Sequence, residues 1–145
     1  MNYDSASIGE VWAMYSVSKV PIGQKPAVLV VEDEIIERMA AVDVLEVAGY
    51  EAVDVCTAAA AVCALENRNN IRVVITDIDL RSGLDGIVLA ACIDRRWPNV
   101  GIIMTSGKVE PVPGDVPSRA RFLRKPYARA RMLDAVRGVM EQHAV

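Results

Sequence analysis

The chain has 145 residues, of which 52% are hydrophobic and 24% are charged, and its net charge is −3. A chain of this length suits one domain that buries roughly 70% of its unfolded surface, so its core needs no metal or disulfide. The negative charge and the lack of a basic stripe with interleaved aromatic residues argue against nucleic-acid binding, and no apolar run of about 18 residues predicts a membrane span.

Rare residue types narrow the chemistry further. The three cysteines, Cys56, Cys63 and Cys92, have no CxxC spacing. That pattern is typical of reduced thiols in a cytoplasmic protein, and we expect these side chains to be small core residues. The single histidine, His143, lies at the end of the chain and argues against His-rich zinc sites and histidine acid–base catalysis. No signal peptide is predicted, because no basic segment precedes an apolar one at the N-terminus.

Residues 1–25 are predicted to be an extension ahead of the domain. The stretch 7–10 fits a capping box, and apolar residues follow at helical spacing, namely Ile8, Val11, Trp12 and Tyr15. We expect a short amphipathic helix at 8–17 and a linker at 20–26. A disordered tail or an expression remnant is the alternative.

The remaining chain, 26–145, alternates between short apolar runs and helical patterns. Strands are predicted at 27–31, 51–55, 72–76, 100–105 and 121–124. Helices are predicted at 34–48, 58–66, 85–96 and 128–142, with Thr57 as an N-cap and Gly49 as a stop.

Helical spacing also predicts which helix faces are buried. In the first helix the repeating apolar residues are Ile35, Met39, Val42 and Leu45. In the last helix they are Met132, Val136 and Val139.

The alternation of apolar strands with helices predicts an α/β fold. Strands that are apolar throughout favour a parallel sheet covered by helices on both faces, here a doubly wound (βα)5 arrangement of five strands. One helix of this pattern is degenerate. The segment 107–120 contains Pro111, Pro113, Pro117, Gly107 and Gly114. It therefore predicts a loop with at most one helical turn.

Polar side chains end four of the predicted strands. Glu32 and Asp33 follow the first strand, Asp77 the third, Thr105 and Ser106 the fourth, and Lys125 the fifth. Ligands bind at the carboxyl edge of open parallel sheets, so we expect these groups to converge.

The chemistry of this group favours phosphoryl transfer. Asp77 is the candidate nucleophile, because a carboxylate can form an acyl phosphate. Mg²⁺ prefers one or two carboxylates together with phosphate oxygens, which makes Glu32 and Asp33 its candidate ligands, with the main-chain carbonyl of Asp79 as a further one. Lys125 is a cation for the phosphate, and Thr105 is a hydroxyl donor. Ser106 is small enough to leave room beside them.

The order and spacing of these residues resemble the receiver domain of two-component response regulators (CheY-like), over about 26–145. That resemblance implies a flavodoxin-like fold with strand order 2-1-3-4-5, and phosphorylation by a sensor histidine kinase or histidine phosphotransfer protein with Mg²⁺. It implies Asp77 as phosphoacceptor, Glu32, Asp33 and the Asp79 carbonyl as metal ligands, and Lys125 as the phosphate-binding lysine. It also implies Thr105 and Phe122 as the switch residues.

Two residues depart from the family pattern. Arg81 stands where the family usually has proline, and Asp79 adds an acidic side chain beside the site.

Two other functions are alternatives to a phosphorylated receiver. A haloacid-dehalogenase-like phosphohydrolase also fits the Asp-Ile-Asp at 77–79, but that family places its second acid pair after the lysine. A receiver-like binding module without phosphorylation is the third reading.

These patterns predict a stand-alone receiver in the cytoplasm, without an effector domain and without enzymatic activity beyond self-phosphorylation and self-dephosphorylation. Its readout is then an unidentified protein target. No nucleic-acid or membrane partner is expected, and a homodimer stays open.

Overall fold

The computed structural model describes residues 25–81, 85–108 and 110–142. The predicted helix at 8–17 and His143 lie outside these residues. The strands are β1 (Ala27–Val31), β2 (Glu51–Val55), β3 (Ile71–Asp77), β4 (Gly101–Ser106) and β5 (Arg121–Arg124). The helices are α1 (Ile35–Val47), α2 (Ala58–Asn67), α3 (Gly86–Arg96) and α4 (Arg129–Gln142). Within the described part of the chain, no helix has the length and apolar character needed to cross a bilayer.

The five strands form one parallel sheet in the order β2-β1-β3-β4-β5. This confirms the predicted fold class and strand order. The predicted strands 27–31, 51–55 and 121–124 match β1, β2 and β5, whereas β3 and β4 each run one residue further towards the site. Asp77 therefore lies inside the sheet, where it is the register partner of Thr105.

Two apolar cores cover the two faces of the sheet. The alternation of side chains along a strand sends Leu29 and Val74 to the first core, which includes buried residues of α2 and α3. Val28 and Val73 face the second core, which includes buried residues of α1 and α4. In α4 the predicted residues Met132, Val136 and Val139 are all fully buried in that second core.

The predicted buried face of α1 is wrong in its first half. Ile35 and Met39 are 56% and 62% exposed, whereas Ala41 and Leu45 carry the burial. At 100° per residue, Met39 lies about 200° around the helix from Ala41, so the two cannot face the same core. Val42 is partly buried and packs against the second core.

The cysteines also differ from the prediction. Cys56 and Cys63 are exposed, and Cys92 is half-buried, although all three are free thiols. Helix α2 buries Ala61 and Leu65. Cys63 is about 200° from each of them around the helix and so faces away from the core.

Local signals at the helix ends act as predicted. The Thr57 hydroxyl accepts a hydrogen bond from the Ala60 N–H at 3.1 Å at the start of α2. Gly49 follows α1 with a φ of +96°, a backbone conformation that favours glycine.

No helix forms between β4 and β5 among residues 110–120, as the prolines predict. This segment is held by turns and by Arg119. The Arg119 guanidinium donates to the Asp94 carboxylate at 2.6 Å and to the Val100 carbonyl at 2.5 Å. One arginine therefore ties this loop to the end of α3 and the start of β4.

Helix α3 begins against the backbone that follows β3. A methyl group on Gly86 would collide with the Asp77 carbonyl oxygen and would lie 2.8 Å from the Ile78 Cα. Backbone atoms cannot yield as a flexible side chain does, so α3 or the segment after Asp77 would have to move.

We expect Gly86→Ala to lower the free energy of unfolding by about 1–3 kcal/mol, the usual cost of overpacking. Thermal melts should show the loss as a lower Tm. Gly107→Ala is the matched control, because a Cβ there meets nothing within 4 Å and φ is not positive. Equal Tm values for the two variants would contradict the close packing of α3 on β3.

Candidate functional site

Strand alternation brings four predicted site residues to one side of the sheet. Glu32, Asp77, Thr105 and Lys125 each come two positions after a residue of the second core, and those residues are Val30, Ile75, Ile103 and Leu123. The parallel strands end at one edge, so the four side chains belong to a single cluster. Glu32 is 5% exposed and Asp77 is 7% exposed, so burial is substantial for carboxylates.

Three carboxylates converge at this edge as predicted. Oxygen atoms of Glu32, Asp33 and Asp77 all lie within 4.8 Å of one another. Backbone N–H groups orient each of them: Glu34 donates to Glu32 at 3.1 Å, Arg81 to Asp33 at 2.9 Å, and Asp79 to Asp77 at 3.0 Å. The geometry and the hard oxygen donors fit a divalent cation such as Mg²⁺.

The Lys125 ammonium joins this cluster from β5. Its Nζ donates to Glu32 at 2.7 Å, to Glu37 at 3.0 Å and to Asp77 at 3.1 Å. The Lys125 N–H also donates to the Ser106 carbonyl at 2.8 Å, which extends the β4–β5 pairing to the lysine. The Lys125 charge thus partly neutralises Glu32 and Asp77, which are two of the three clustered carboxylates. It also partly neutralises Glu37 on α1.

Burial and ion pairing oppose each other in this cluster. Burial raises the pKa of Glu32 to about 7, against the hydrogen bonds from Lys125 and from the Glu34 N–H. At Lys125 burial disfavours the charge, but the hydrogen bonds to Glu32, Glu37 and Asp77 outweigh it and raise the pKa. The Lys125 ammonium therefore stays charged, whereas burial disfavours the charged form of Glu32.

Asp33 is less buried than its neighbours and behaves differently. Its limited burial favours the neutral acid, but the hydrogen bond from the Arg81 N–H, a side-chain hydrogen bond with Glu32 and the nearby Arg81 charge together outweigh that effect. The pKa of Asp33 is therefore held below its ordinary value. The Arg81 Nε lies 3.7 Å from Asp33, and another nitrogen of its guanidinium lies 3.6 Å from Glu34. The unusual arginine after Asp77 thus reaches back to the loop after β1.

Asp79 and Ser106 form a second polar contact beside the cluster. The Ser106 hydroxyl donates to the Asp79 carboxylate at 3.1 Å and accepts from the Lys108 N–H at 3.0 Å. The Lys108 Nζ lies 3.8 Å from Asp79. Ser106 is therefore more than a small residue that leaves room, because it connects the loop after β3 to the loop after β4.

Thr105 and Phe122 lie on different sides of the sheet. Thr105 is buried and is paired in register with Asp77 on one side and with Leu123 on the other. Phe122 is half-buried on the edge strand and pairs with Met104, which belongs to the first core. The alternation of side chains thus separates the predicted switch hydroxyl from the predicted switch aromatic.

Two residues of the site were not predicted from the sequence. Glu37 contacts Lys125, and the Arg38 guanidinium donates to the Glu32 carbonyl at 2.9 Å and to the Asp54 carboxylate at 3.0 Å. Glu37 and Arg38 are the third and fourth residues of α1, directly after the loop that carries Glu32 and Asp33. Charged residues at this place in the chain are a signal, although the starts of many surface helices share it and its specificity is low.

Comparisons with known proteins agree with this geometry. The family model described as the response regulator receiver domain matches residues 28–137. A response regulator receiver protein from Sinorhizobium medicae WSM419 is 25% identical with a TM-score of 0.73, covering 83% of this chain and 98% of that chain. A CheY-like receiver domain protein from Methanospirillum hungatei JF-1 is 20% identical with a TM-score of 0.73, covering 83% and 97%, and shows the fold alone.

A third similar structure comes from a longer protein. NtrX from Brucella abortus, solved in complex with ADP, is 27% identical with a TM-score of 0.74. The match covers 83% of this chain but 28% of that chain. The shared part is thus one region of NtrX. With five parallel strands in the order 2-1-3-4-5, an acidic cluster at their carboxyl edge and a family match over residues 28–137, this chain belongs to the response regulator receiver domain family.

Proposed function

We propose that Asp77 accepts a phosphoryl group from a phosphohistidine in an Mg²⁺-dependent reaction. The observation that carries the proposal is the position of Asp77, a 7% exposed carboxylate beside two further carboxylates and 3.1 Å from the Lys125 ammonium. The transfer is a relay step of two-component signalling, and it changes which protein the domain binds or passes the phosphoryl group on.

In the transfer step an Asp77 carboxylate oxygen attacks the phosphorus atom. The new O–P bond forms as the N–P bond of the phosphohistidine breaks, and the imidazole nitrogen keeps the electron pair of that bond. The product is an acyl phosphate on Asp77. Lys125 holds one phosphate oxygen by a charge-assisted hydrogen bond, and the Thr105 hydroxyl donates to another.

Mg²⁺ bound at the site would supply positive charge for the phosphoryl oxygens. Glu32, Asp33 and Asp77 are the side chains that would hold it, and the Asp79 main-chain carbonyl is the further ligand that the family resemblance implies. The backbone N–H bonds to the three carboxylates support this role, because they orient the acids before a cation binds.

The phosphorylated state is proposed to act by shifting a pre-existing equilibrium. The Thr105 hydroxyl moves towards the phosphate, and the accompanying adjustment of the paired strands β4 and β5 moves Phe122 on the opposite side of the sheet. The surface to which this change would be passed differs from the family pattern, because residues 110–120 form a loop where the family has a regular helix. Arg119 bonds to Asp94 on α3 and to the Val100 carbonyl just before β4, so a movement of β4 can reach the loop.

The phosphohistidine protein is proposed to dock on the exposed start of α1. Ile35, Ile36 and Met39, which we call the α1 apolar patch, are 56%, 74% and 62% exposed. The patch begins two residues after Asp33, so a partner seated on it reaches the acidic cluster. Contiguous exposed apolar side chains are typical of protein contact sites. A sensor histidine kinase or a histidine phosphotransfer protein is the partner class that fits.

We expect wild-type protein to take up phosphate from acetyl phosphate when Mg²⁺ is present, and Asp77→Asn to show no adduct. Intact-protein mass spectrometry measures the mass gain of the acyl phosphate. Asp134→Asn is the matched control, because Asp134 is an exposed acid on α4 that pairs with Arg137. If the wild type takes up no phosphate, the proposal fails and the receiver-like binding module is favoured. If Asp77→Asn is labelled as strongly as the wild type, the phosphate is attached to another residue.

We expect two substitutions at one ion pair to change Mg²⁺ affinity in opposite directions. Lys125→Gln should raise it by at least about threefold, because the ammonium competes with the cation for the same oxygens. Glu32→Gln should lower it by about tenfold, because a charged ligand is lost. Chemical-shift titration with MgCl₂ measures both affinities.

Arg124→Gln controls for the loss of a positive charge near the site, since Arg124 is exposed and is the neighbour of Lys125. We expect its Mg²⁺ affinity to stay within about twofold of wild type. A lower affinity in Lys125→Gln would contradict the competition between ammonium and cation.

We expect Ile36→Glu to slow phosphotransfer from any phosphohistidine protein that phosphorylates the wild type by at least about tenfold. Labelling by acetyl phosphate should not change, because that donor needs no docking surface. Val47→Glu is the matched control, since Val47 is 73% exposed at the other end of the same helix. An equal effect of both substitutions, or slower acetyl phosphate labelling in Ile36→Glu, would rule out the α1 apolar patch as the docking surface.

A further inference from the structure

Arg72 occupies an irregular position at the start of β3. Ala27 and Val28 are consecutive in β1, but they pair with Ile71 and Val73, so Arg72 is an extra residue in the pairing with β1. Such an irregularity re-aims the side chain of the extra residue, and these features are frequent beside binding sites. An arginine in the central strand of a parallel sheet is unusual, because both faces of that sheet are normally apolar.

The Arg72 guanidinium carries an unmet hydrogen-bonding demand. Its Nε is buried and has no hydrogen-bond partner among the described residues. Burial also lowers the pKa of Arg72, because the charged form loses solvation. A buried donor without a partner costs free energy, and native structures normally supply one from protein, water or ligand.

Arg72 lines a pocket of about 310 Å³ at the amino edge of the sheet. Two more arginines, Arg68 and Arg96, line it, and its described lining contains no aspartate or glutamate. Arg68 is paired with Glu51, and Arg96 donates to Glu66 at 2.7 Å. The charges of Arg68 and Arg96 are therefore paired with acids. The charge of Arg72 has no acidic partner among the described residues.

The rest of the pocket wall suits a small organic molecule. Trp97, Pro98 and Val100 offer apolar surface, and Asn69 and Asn99 offer amide groups. The Arg96 guanidinium lies 4.4 Å from the centre of the Trp97 ring, within the range of a cation–π interaction. A volume of about 310 Å³ is at the lower end of the range for ligand pockets, which suits one small molecule.

We propose that this pocket binds a phosphate-bearing small molecule, with its phosphate on the Arg72 guanidinium and its organic part against Trp97. Arginine is the residue best shaped for this role, because its planar fork matches two phosphate oxygens. Arg72 and Asp77 lie at opposite ends of β3, about 17 Å apart at the usual rise per residue. The pocket is therefore separate from the acidic cluster and independent of its chemistry.

The test is a titration of the ¹⁵N-labelled full chain with phenyl phosphate in the presence of EDTA. The reporter is the indole N–H of Trp97, which Trp12→Phe distinguishes from the only other tryptophan. We expect a saturable shift of this signal in the wild type. Arg72→Gln should weaken the affinity by at least about tenfold, the usual cost of losing a charged hydrogen-bond donor.

Two control substitutions and one control ligand sharpen the result. Arg95→Gln removes the same charge from α3 at an exposed residue that does not line the pocket, and we expect its affinity to stay within about twofold. Arg72→Lys keeps the charge and the aliphatic stem and should bind about threefold more weakly than wild type, because the fork is lost. It also decides the question if Arg72→Gln does not fold. Benzoate tests whether a carboxylate serves as well as a phosphate.

The proposal is overturned if the Trp97 signal does not saturate, or if Arg72→Gln and Arg72→Lys both bind as wild type does. It is also overturned if Arg95→Gln loses as much affinity as Arg72→Gln, or if the shifts appear at Asp77 and Lys125 and not at Trp97. Equal affinity for benzoate would remove the assignment to phosphate. A saturable shift that only the Arg72 substitutions weaken supports the pocket.

Discussion

The arrangement of charge around Lys125 is the interaction on which the candidate site depends. Its ammonium lies within 3.1 Å of oxygens on Glu32, Glu37 and Asp77. Without such a charge, the carboxylates at this edge would repel one another and favour protonation. Lys125 directly follows the edge strand β5, whereas Asp77 ends the central strand β3. The pairing of β5 with β4 therefore brings Lys125 to acids that are far from it in sequence, whereas the pairing of β1 with β3 places those acids close to one another.

The sheet separates two kinds of chemistry at the two ends of one strand. At the carboxyl end of β3, Asp77 belongs to an acidic cluster that fits a cation. At the amino end, Arg72 has a buried Nε without a partner in a pocket whose described lining is basic and aromatic. Between these two groups, Val73, Val74 and Ile75 pack into the two cores, and Arg72 and Asp77 belong to neither core. The central strand thus carries a polar group at each edge of the sheet.

Much of the fold and most of the site could be predicted from local patterns. The strands β1, β2 and β5 match the predictions, and so do the N-cap of Thr57 and the loop at 110–120. The errors have two causes. In α1 the predicted face missed the rotation that places Ala41 and Leu45 inward, and the cysteines were assigned to the core from residue type alone. Small residues such as alanine give no strong periodic signal, so the buried face of a helix rich in them is decided by what it packs against.

The sequence by itself determined the order of strands and helices and the polar residues at the strand ends, because backbone propensity and apolar periodicity act over a few neighbouring residues. Only the tertiary structure decided that Glu37 joins the Lys125 cluster, that the Ser106 hydroxyl bonds to Asp79, and that the Arg81 N–H reaches Asp33. These contacts join segments that are far apart in sequence. They depend on strand register and loop path, and a hydrogen bond needs its partners within a few tenths of an ångström, a precision that no local pattern carries.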